Sequence, residues 1–316
     1  MGFTISIDET SIFPVICLTD EEQQTTAEIY ATGALLNRFS IQQNGKPFNV
    51  VDGFSNPEDA AANITNGFKS AKLSPFVCRL KEGKYLFEEK EYKINKFYLQ
   101  TEAIHGLIYN APFKVTASGA DDTRAFVTLS YEYTNTEEGF PFRYLAEVTY
   151  ELEQNNRLIL STAIQNTGTG NLPLSDGWHP YFTLGETVDE LLLQLNTKNI
   201  AEFDDKLLPN GNFTPYTTFV TPRLLGDTFL DNCFVVNDTD LPACTLQNPS
   251  TGLQLSIVAH ASYPYLQVYT PPHRKSIAVE NLSSVPDAFN NGIGLIILGA
   301  GESRSFTTSY QLSIAG

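Results

Sequence analysis

The sequence predicts an all-β protein, a large antiparallel β-sandwich, on two observations. Apolar residues recur with period two along most of the chain, and helical signals are scarce. Alternate side chains of a strand point to the same face, so residues 125–134 (AFVTLSYEYT) place Val127, Leu129, Tyr131 and Tyr133 together. Residues 145–152 (LAEVTYEL) and 158–165 (LILSTAIQ) follow, and the turn-forming segments EEGFP and EQNNR separate the three into a meander. Residues 253–259, 265–270, 276–281 and 305–314 read as further strands. One segment stands apart, residues 55–71 (SNPEDAAANITNGFKSA). Asn56 is placed to cap a short helix there, Pro57 suits its first turn, Glu58 and Asp59 favour the positive end of its dipole, and it ends near Gly67.

The β pattern runs from the first segment to the last. There is no internal repeat, low-complexity tract or Gly/Ser-rich linker, so a single domain over residues 1–316 is expected. Hydrophobic residues make up 42% and charged residues 18%, the balance of a globular chain with a core. Aromatics reach 12%, which fits strands first and a carbohydrate site second.

The formal net charge of −16 repels phosphate backbones and sets nucleic acid aside as a partner. Cys17, Cys78, Cys233 and Cys244 form no CxxC pair and no Cys/His cluster with zinc spacing, so they read as reduced, partly buried thiols. The N-terminus lacks a basic region followed by an apolar one, and no apolar run is long enough to span a membrane. Gly2 and Ser6 fit the short N-myristoylation template, but FTISI also alternates like the start of a strand, and the strand is the preferred reading. A cytoplasmic protein is expected, with no membrane partner, as a monomer or homodimer.

Chemistry needs titratable groups in unusual settings. Among the histidines, His105 is followed at once by a glycine, and His179 sits in SDGWHPYFTLG between the single tryptophan and a proline. A residue before proline is pushed towards extended backbone, which puts His179 at a strand end or turn. His260 and His273 are read as structural. In KSIAVEN, Ile277 and Val279 alternate with Ala278 and Glu280, so the Glu280 carboxylate projects opposite the larger apolar pair. The pattern alone leaves open whether that face meets water or a site. Arg79, flanked by Phe76, Val77, Cys78 and Leu80, is either half of a buried pair or a ligand clamp.

These residues lie in segments that, taken in order, resemble the aldose 1-epimerase (galactose mutarotase) family. FVCRLKEGKYLF resembles its Arg-containing strand, EAIHGLIY its His-Gly segment, GFPFRYLAEVTYEL its central meander and SDGWHPYFTLG its His-x-Tyr-Phe segment. AVENLSSVPDAFNNG resembles the Glu-bearing strand and the turn after it, and GAGES the turn before the last strand. The match spans about residues 30–314. It implies a supersandwich with a concave sugar cleft, Glu280 as general base, His179 as general acid, and His105, Arg79 and Asp231 as holders of sugar hydroxyls. Asp227, four positions before Asp231, competes for that last role. Leu107 and Asn281 depart from the family pattern and bear on substrate preference.

The implied reaction interconverts the α and β anomers of a free hexose such as galactose or glucose. The anomeric hydroxyl loses a proton while the ring oxygen gains one; the ring opens, the C1–C2 bond turns, and the ring closes on the other face. One base and one acid suffice, so no cofactor and no metal is expected. Trp178, Tyr181 and Phe289 are candidates to stack on a sugar ring, with burial in the core the commoner fate of such residues. Three other readings stay open. A hexose-6-phosphate epimerase needs several cations at the site, where Arg79 is clear and Arg274 and Lys275 are further candidates. The others are a non-catalytic sugar binder on the same scaffold and a plain structural β-sandwich.

Overall fold

A computed structural model describes residues 2–237 and 241–314. The predicted meander is present and extends by a residue or two: Arg124–Thr134, Arg143–Glu153 and Arg157–Asn166 pair in unbroken antiparallel register. Ser303–Ile314 joins the last of these and Leu253–Val258 follows it, within a nine-stranded sheet. An eight-stranded sheet packs across it. Its main path is Pro209–Pro215, Thr197–Phe203, Asp231–Val236, Tyr265–Tyr269, Ile277–Leu282, Gly177–His179 and Ala71–Leu73, and Tyr181–Phe182 pairs alongside Ile277–Leu282. The sandwich expected from the period-two pattern is the observed fold.

Alternation explains why the two sheets meet. Ile277, Val279, Leu266, Val268, Trp178 and Phe182 point inward from the eight-stranded sheet and join Val127, Leu129, Val148, Leu160 and Tyr310 in one buried cluster. Tyr150 lies edge-on to Trp178 at 6.2 Å, and Phe182 meets Tyr310 at 5.4 Å, so aromatic pairs bridge the layers. Trp178 is therefore a core residue and not a sugar platform. Phe289 is also core, packed on Phe76, Tyr85 and Phe140.

The chain before residue 50 forms a further five-stranded sheet of consecutive hairpins, Phe3–Asp8 to Lys46–Asn49, whose Leu18 and Ile29 enter the same core. Ser6 lies within its first strand, as the alternation of FTISI implied. The helix expected near residue 57 runs Pro57–Asn63. Asn56 caps it by accepting a 2.8 Å bond from the Asp59 amide, and turns carry the chain on to Gly67. No helix among the described residues is long and apolar enough to cross a membrane. All four cysteines are free thiols, with Cys17 half-buried and the others buried.

Candidate active site

The outer face of the eight-stranded sheet carries the polar residues. Directly opposed residues of an antiparallel ladder share a face. Glu280 opposes Gln267, which opposes Cys233, and Tyr269 opposes Asp231. Gly177 opposes Leu282, which puts His179 on the same face as Glu280, and Tyr181 opposes Ala278. One row of alternation thus brings Asp231, Gln267, Tyr269, His179, Tyr181 and Glu280 together, while their sequence neighbours fill the core.

A small three-stranded sheet, Tyr98–Leu99, Glu102–Ile104 and Arg79–Leu80, supplies residues from above. His105 follows its middle strand in a left-handed conformation with φ of 63°. Its amide bonds to the Cys78 carbonyl at 2.9 Å, and the Leu107 amide bonds to the Ser74 carbonyl at 2.7 Å. Gly106 between them passes so close to Ser74 that a Cβ would lie 2.3 Å from its carbonyl oxygen. The His-Gly pair is therefore a packing device: only glycine lets the backbone turn His105 down against the sheet.

These elements enclose a cavity of about 280 Å³ lined by all five residues singled out in the sequence: Arg79, His105, His179, Asp231 and Glu280. Asp227, the competitor of Asp231, is exposed and outside it. Leu107 and Asn281 are buried in the interior and line no part of it. Neither His260 nor His273 contributes. Gln267 does, a residue that sequence reasoning misses; its alternation with Tyr265 and Tyr269 is the available signal.

On the cavity floor, His179 Nε2 lies 3.3 Å from Glu280 Oε1, and both side chains are almost wholly buried. The Cys78 thiol donates a weak 3.7 Å contact to Glu280 Oε2. The His105 ring stands edge-on to the His179 ring at 4.7 Å, with Phe68 behind it at the same distance. Gln267 Nε2 donates to Asp231 Oδ1 at 2.8 Å. Three polar atoms of the lining residues, His105 Nδ1, His179 Nδ1 and Gln267 Oε1, are buried with no hydrogen-bond partner in the protein. Such atoms are rare in folded proteins, and a hydroxyl-rich ligand in the cavity is the kind of partner they lack.

Burial governs the charges. It pushes the Glu280 carboxyl well above the usual carboxylate range, and the neighbouring charge of Asp231 pushes the same way. It lowers His179 to about 4. His105 is lowered well below its usual value, by burial first and then by His179 and Arg79. Asp231 is raised by burial, with Arg79 opposing. A separate acid in the role of His179 calls for a neighbour that keeps it protonated. The geometry offers something different, a close carboxyl–imidazole pair in which burial favours the form with one proton shared between the two members. His105, His179 and Glu280 also present one ligating atom each within 4.8 Å of one another, a set able to hold a transition metal in place of the proton.

Comparison with known proteins fits this arrangement. Residues 14–311 match the family model for aldose 1-epimerase. The chain is 25% identical to an aldose 1-epimerase of Streptococcus thermophilus over 320 residues, covering 89% of each chain. It is 30% identical to an uncharacterized protein, YihR, of Escherichia coli (strain K12) over 246 residues, covering 73% of this chain and 74% of that one. A galactose mutarotase-like protein from Clostridium acetobutylicum superposes with a TM-score of 0.88 over 99% of both chains at 18% identity. A family match over nearly the whole length, on a sandwich whose outer face gathers an acid–base pair, leads to one conclusion: this chain belongs to the aldose 1-epimerase family.

Proposed function

We propose that the protein is an aldose 1-epimerase that interconverts the anomers of a neutral free hexose, with galactose and glucose the leading substrates. The observation that carries this reading is the 3.3 Å contact between Glu280 and His179 on the floor of a buried cavity. Opening a pyranose ring moves one proton from the anomeric oxygen to the ring oxygen, two atoms bonded to the same carbon. A base and an acid that touch each other are spaced to reach both. The pair's proton passes across this contact to His179, and Glu280 then takes the proton from the anomeric hydroxyl while His179 delivers its own to the ring oxygen. After the C1–C2 bond turns, the roles reverse and the ring closes on the other face. The pair carries one proton before ring opening and one after it, so the cycle needs no exchange with solvent. Burial supports this economy, because it disfavours both the two-proton and the proton-free states of the pair. Arg79, His105, Asp231 and Gln267 orient the ring through its hydroxyls.

A phosphorylated substrate fits less well. Arg79 is the one cationic side chain among the described residues that line the cavity. Arg274 is engaged elsewhere, with Asp189 and with the carbonyls of Gly226 and Thr228, and Lys275 does not reach the lining. A non-catalytic binder would have no need of both acid and base. Polarimetry of freshly dissolved α-D-galactose and α-D-glucose tests the proposal. Wild type should speed equilibration, and Glu280→Gln should lower the rate by roughly 10²- to 10⁴-fold, the usual worth of a positioned base. Full activity in Glu280→Gln, or no acceleration by wild type on either sugar, would overturn the assignment.

A further inference from the structure

Three side chains of the cavity floor have a second chemistry available to them. His105, His179 and Glu280 each present one ligating atom within 4.8 Å of the others, and among the described residues no other three His, Cys, Asp or Glu side chains meet in this way. A zinc ion holds imidazole nitrogen and carboxylate oxygen at about 2.0–2.2 Å in a tetrahedron, which sets two of its ligating atoms about 3.4 Å apart. His179 Nε2 and Glu280 Oε1 already stand 3.3 Å apart, the length of one tetrahedral edge. A modest turn of the His105 ring closes the edges to the third atom.

The neighbouring atoms leave this set free to bind. The Cys78 thiol contacts the other Glu280 oxygen, Oε2, at 3.7 Å, so Oε1 remains for a metal. The His105 side chain is 7% exposed and lines the cavity, and its Nδ1 has no hydrogen-bond partner in the protein. His105 is held in place by its backbone, whose amide bonds to the Cys78 carbonyl at 2.9 Å. Three protein ligands with a fourth position facing a cavity make an open zinc site rather than a closed structural one. Two imidazoles and one carboxylate suit zinc and its transition-metal neighbours, whereas magnesium and calcium take oxygen ligands.

Ring opening by an acid and a base needs no metal, so an ion here competes with the reaction. Resting on the epimerase reading for its consequence, we propose that the cavity floor is an inhibitory zinc site in which His105, His179 and Glu280 bind Zn²⁺ in competition with the sugar. The ion takes the lone pairs through which Glu280 accepts a proton and His179 passes one, and the proton that the pair shared leaves to solvent. The ion also fills the place of the anomeric carbon, so sugar and metal exclude each other.

The test uses protein stripped with EDTA and then freed of the chelator. Isothermal titration calorimetry with ZnCl2 reads binding, and polarimetry of galactose in the same buffer reads anomer exchange. One equivalent of zinc should bind, MgCl2 should not, and galactose should weaken the binding of zinc. Zinc should raise KM for galactose with kcat unchanged, and EDTA should restore the rate. Loss of a mere outer-shell partner of a metal site costs about 10- to 100-fold, so His105→Gln and Glu280→Gln should each lower zinc affinity by roughly 100-fold or more. His273→Ala removes an exposed histidine outside the cavity and should change neither zinc binding nor activity. Absence of zinc binding, binding unchanged in both His105→Gln and Glu280→Gln, or anomer exchange that bound zinc leaves unslowed or speeds would overturn this proposal and leave the epimerase reading standing. No anomer exchange by the metal-free protein would overturn the epimerase reading and, with it, the inhibition, while calorimetry would still decide whether these three residues bind zinc.

Discussion

Two buried pairs of an acid and a base lie on opposite faces of one strand. Gly177–His179 pairs with Ala71–Leu73, so that Trp178 opposes Lys72 and His179 opposes Ala71. Lys72 points into the core and meets Asp176 at 2.5 Å; His179 points outward and meets Glu280 at 3.3 Å. The inner pair is enclosed by partners. Lys72 also donates to Thr162 Oγ1 at 3.1 Å and lies 4.3 Å from the centre of the Trp178 ring. Asp176 accepts from the Tyr263 hydroxyl at 2.7 Å, and its amide donates to Ser283 Oγ at 2.8 Å. The outer pair has a thiol at 3.7 Å, a neighbouring imidazole edge, and a cavity. Burial penalises the charges of both pairs; it draws even Lys72 down to about 8. The difference lies in the partners. A pair held by several hydrogen bonds inside the core fixes structure, even with Asp176 Oδ2 left unpartnered, whereas a pair with fewer of them beside an opening is free to exchange its proton with a ligand.

Substitution should separate the two most sharply. Glu280→Gln and His179→Gln should each abolish most activity, by roughly 10²-fold or more, with unfolding midpoints unchanged or raised, because each removes a group held at a cost for function. Lys72→Met should do the reverse in stability. It strands the Asp176 carboxylate in the core and should cost about 3–5 kcal/mol in denaturant unfolding, while Lys72→Met combined with Asp176→Leu should recover most of that loss. A Glu280→Gln protein as unstable as Lys72→Met would mean that the outer pair is structural too, and the comparison would fail.

The inner pair also shows how far the sequence could be read. Alternation placed Glu280 opposite Ile277 and Val279, and that is how the strand lies. What alternation could not show is that the opposite face is roofed by the sheet carrying Arg79 and Ile104, a contact between segments about two hundred positions away from Glu280 in sequence. Periodicity speaks of one strand at a time; burial of the carboxylate depends on what packs over it. The same limit applies to Trp178, whose neighbour His179 made it a plausible sugar platform until the strand's two faces were separated. Lys72 gave no signal at all, since a lysine in a short strand reads as exposed until its partner across the core is known. Family resemblance supplied what pattern lacked: it singled out five residues scattered from Arg79 to Glu280, and folding gathers all five around one cavity.

The dependence on pH sharpens the comparison next. The outer pair keeps its single proton between the lowered His179 value, about 4, and the raised value of Glu280. Activity should therefore form a plateau bounded by these two groups, falling on the acid side as His179 takes up a second proton and on the alkaline side as Glu280 gives up the only one. Stability follows the same two groups. The folded value of His179 lies below its unfolded value of about 6.5, so its contribution is present above that pH and is lost as pH falls towards 4. Glu280 is shifted upward, so its contribution is present at low pH and is lost as pH rises through its folded value. His179→Gln should accordingly flatten the loss of stability between about pH 6.5 and 4, read from urea midpoints across that range. Unchanged acid sensitivity in that variant would assign the loss to other groups.

The smallest effect tests whether the two pairs are electrically independent. Asp231 adds to the upward shift of Glu280 but does not appear among the causes that shift Lys72 or Asp176. Asp231→Asn removes that like charge and lets Glu280 ionise at lower pH, so the alkaline limb of the activity profile should move downward by a fraction of a unit to about one unit. The acid limb, set by burial of His179, should stay in place, and KM should rise because Gln267 loses the carboxylate that orients it. Low salt should widen the shift slightly, since a half-buried charge is partly screened. An alkaline limb that stays fixed while KM rises would confine Asp231 to holding the sugar. A limb that moves with KM unchanged would give it the opposite part, tuning the base without touching the substrate.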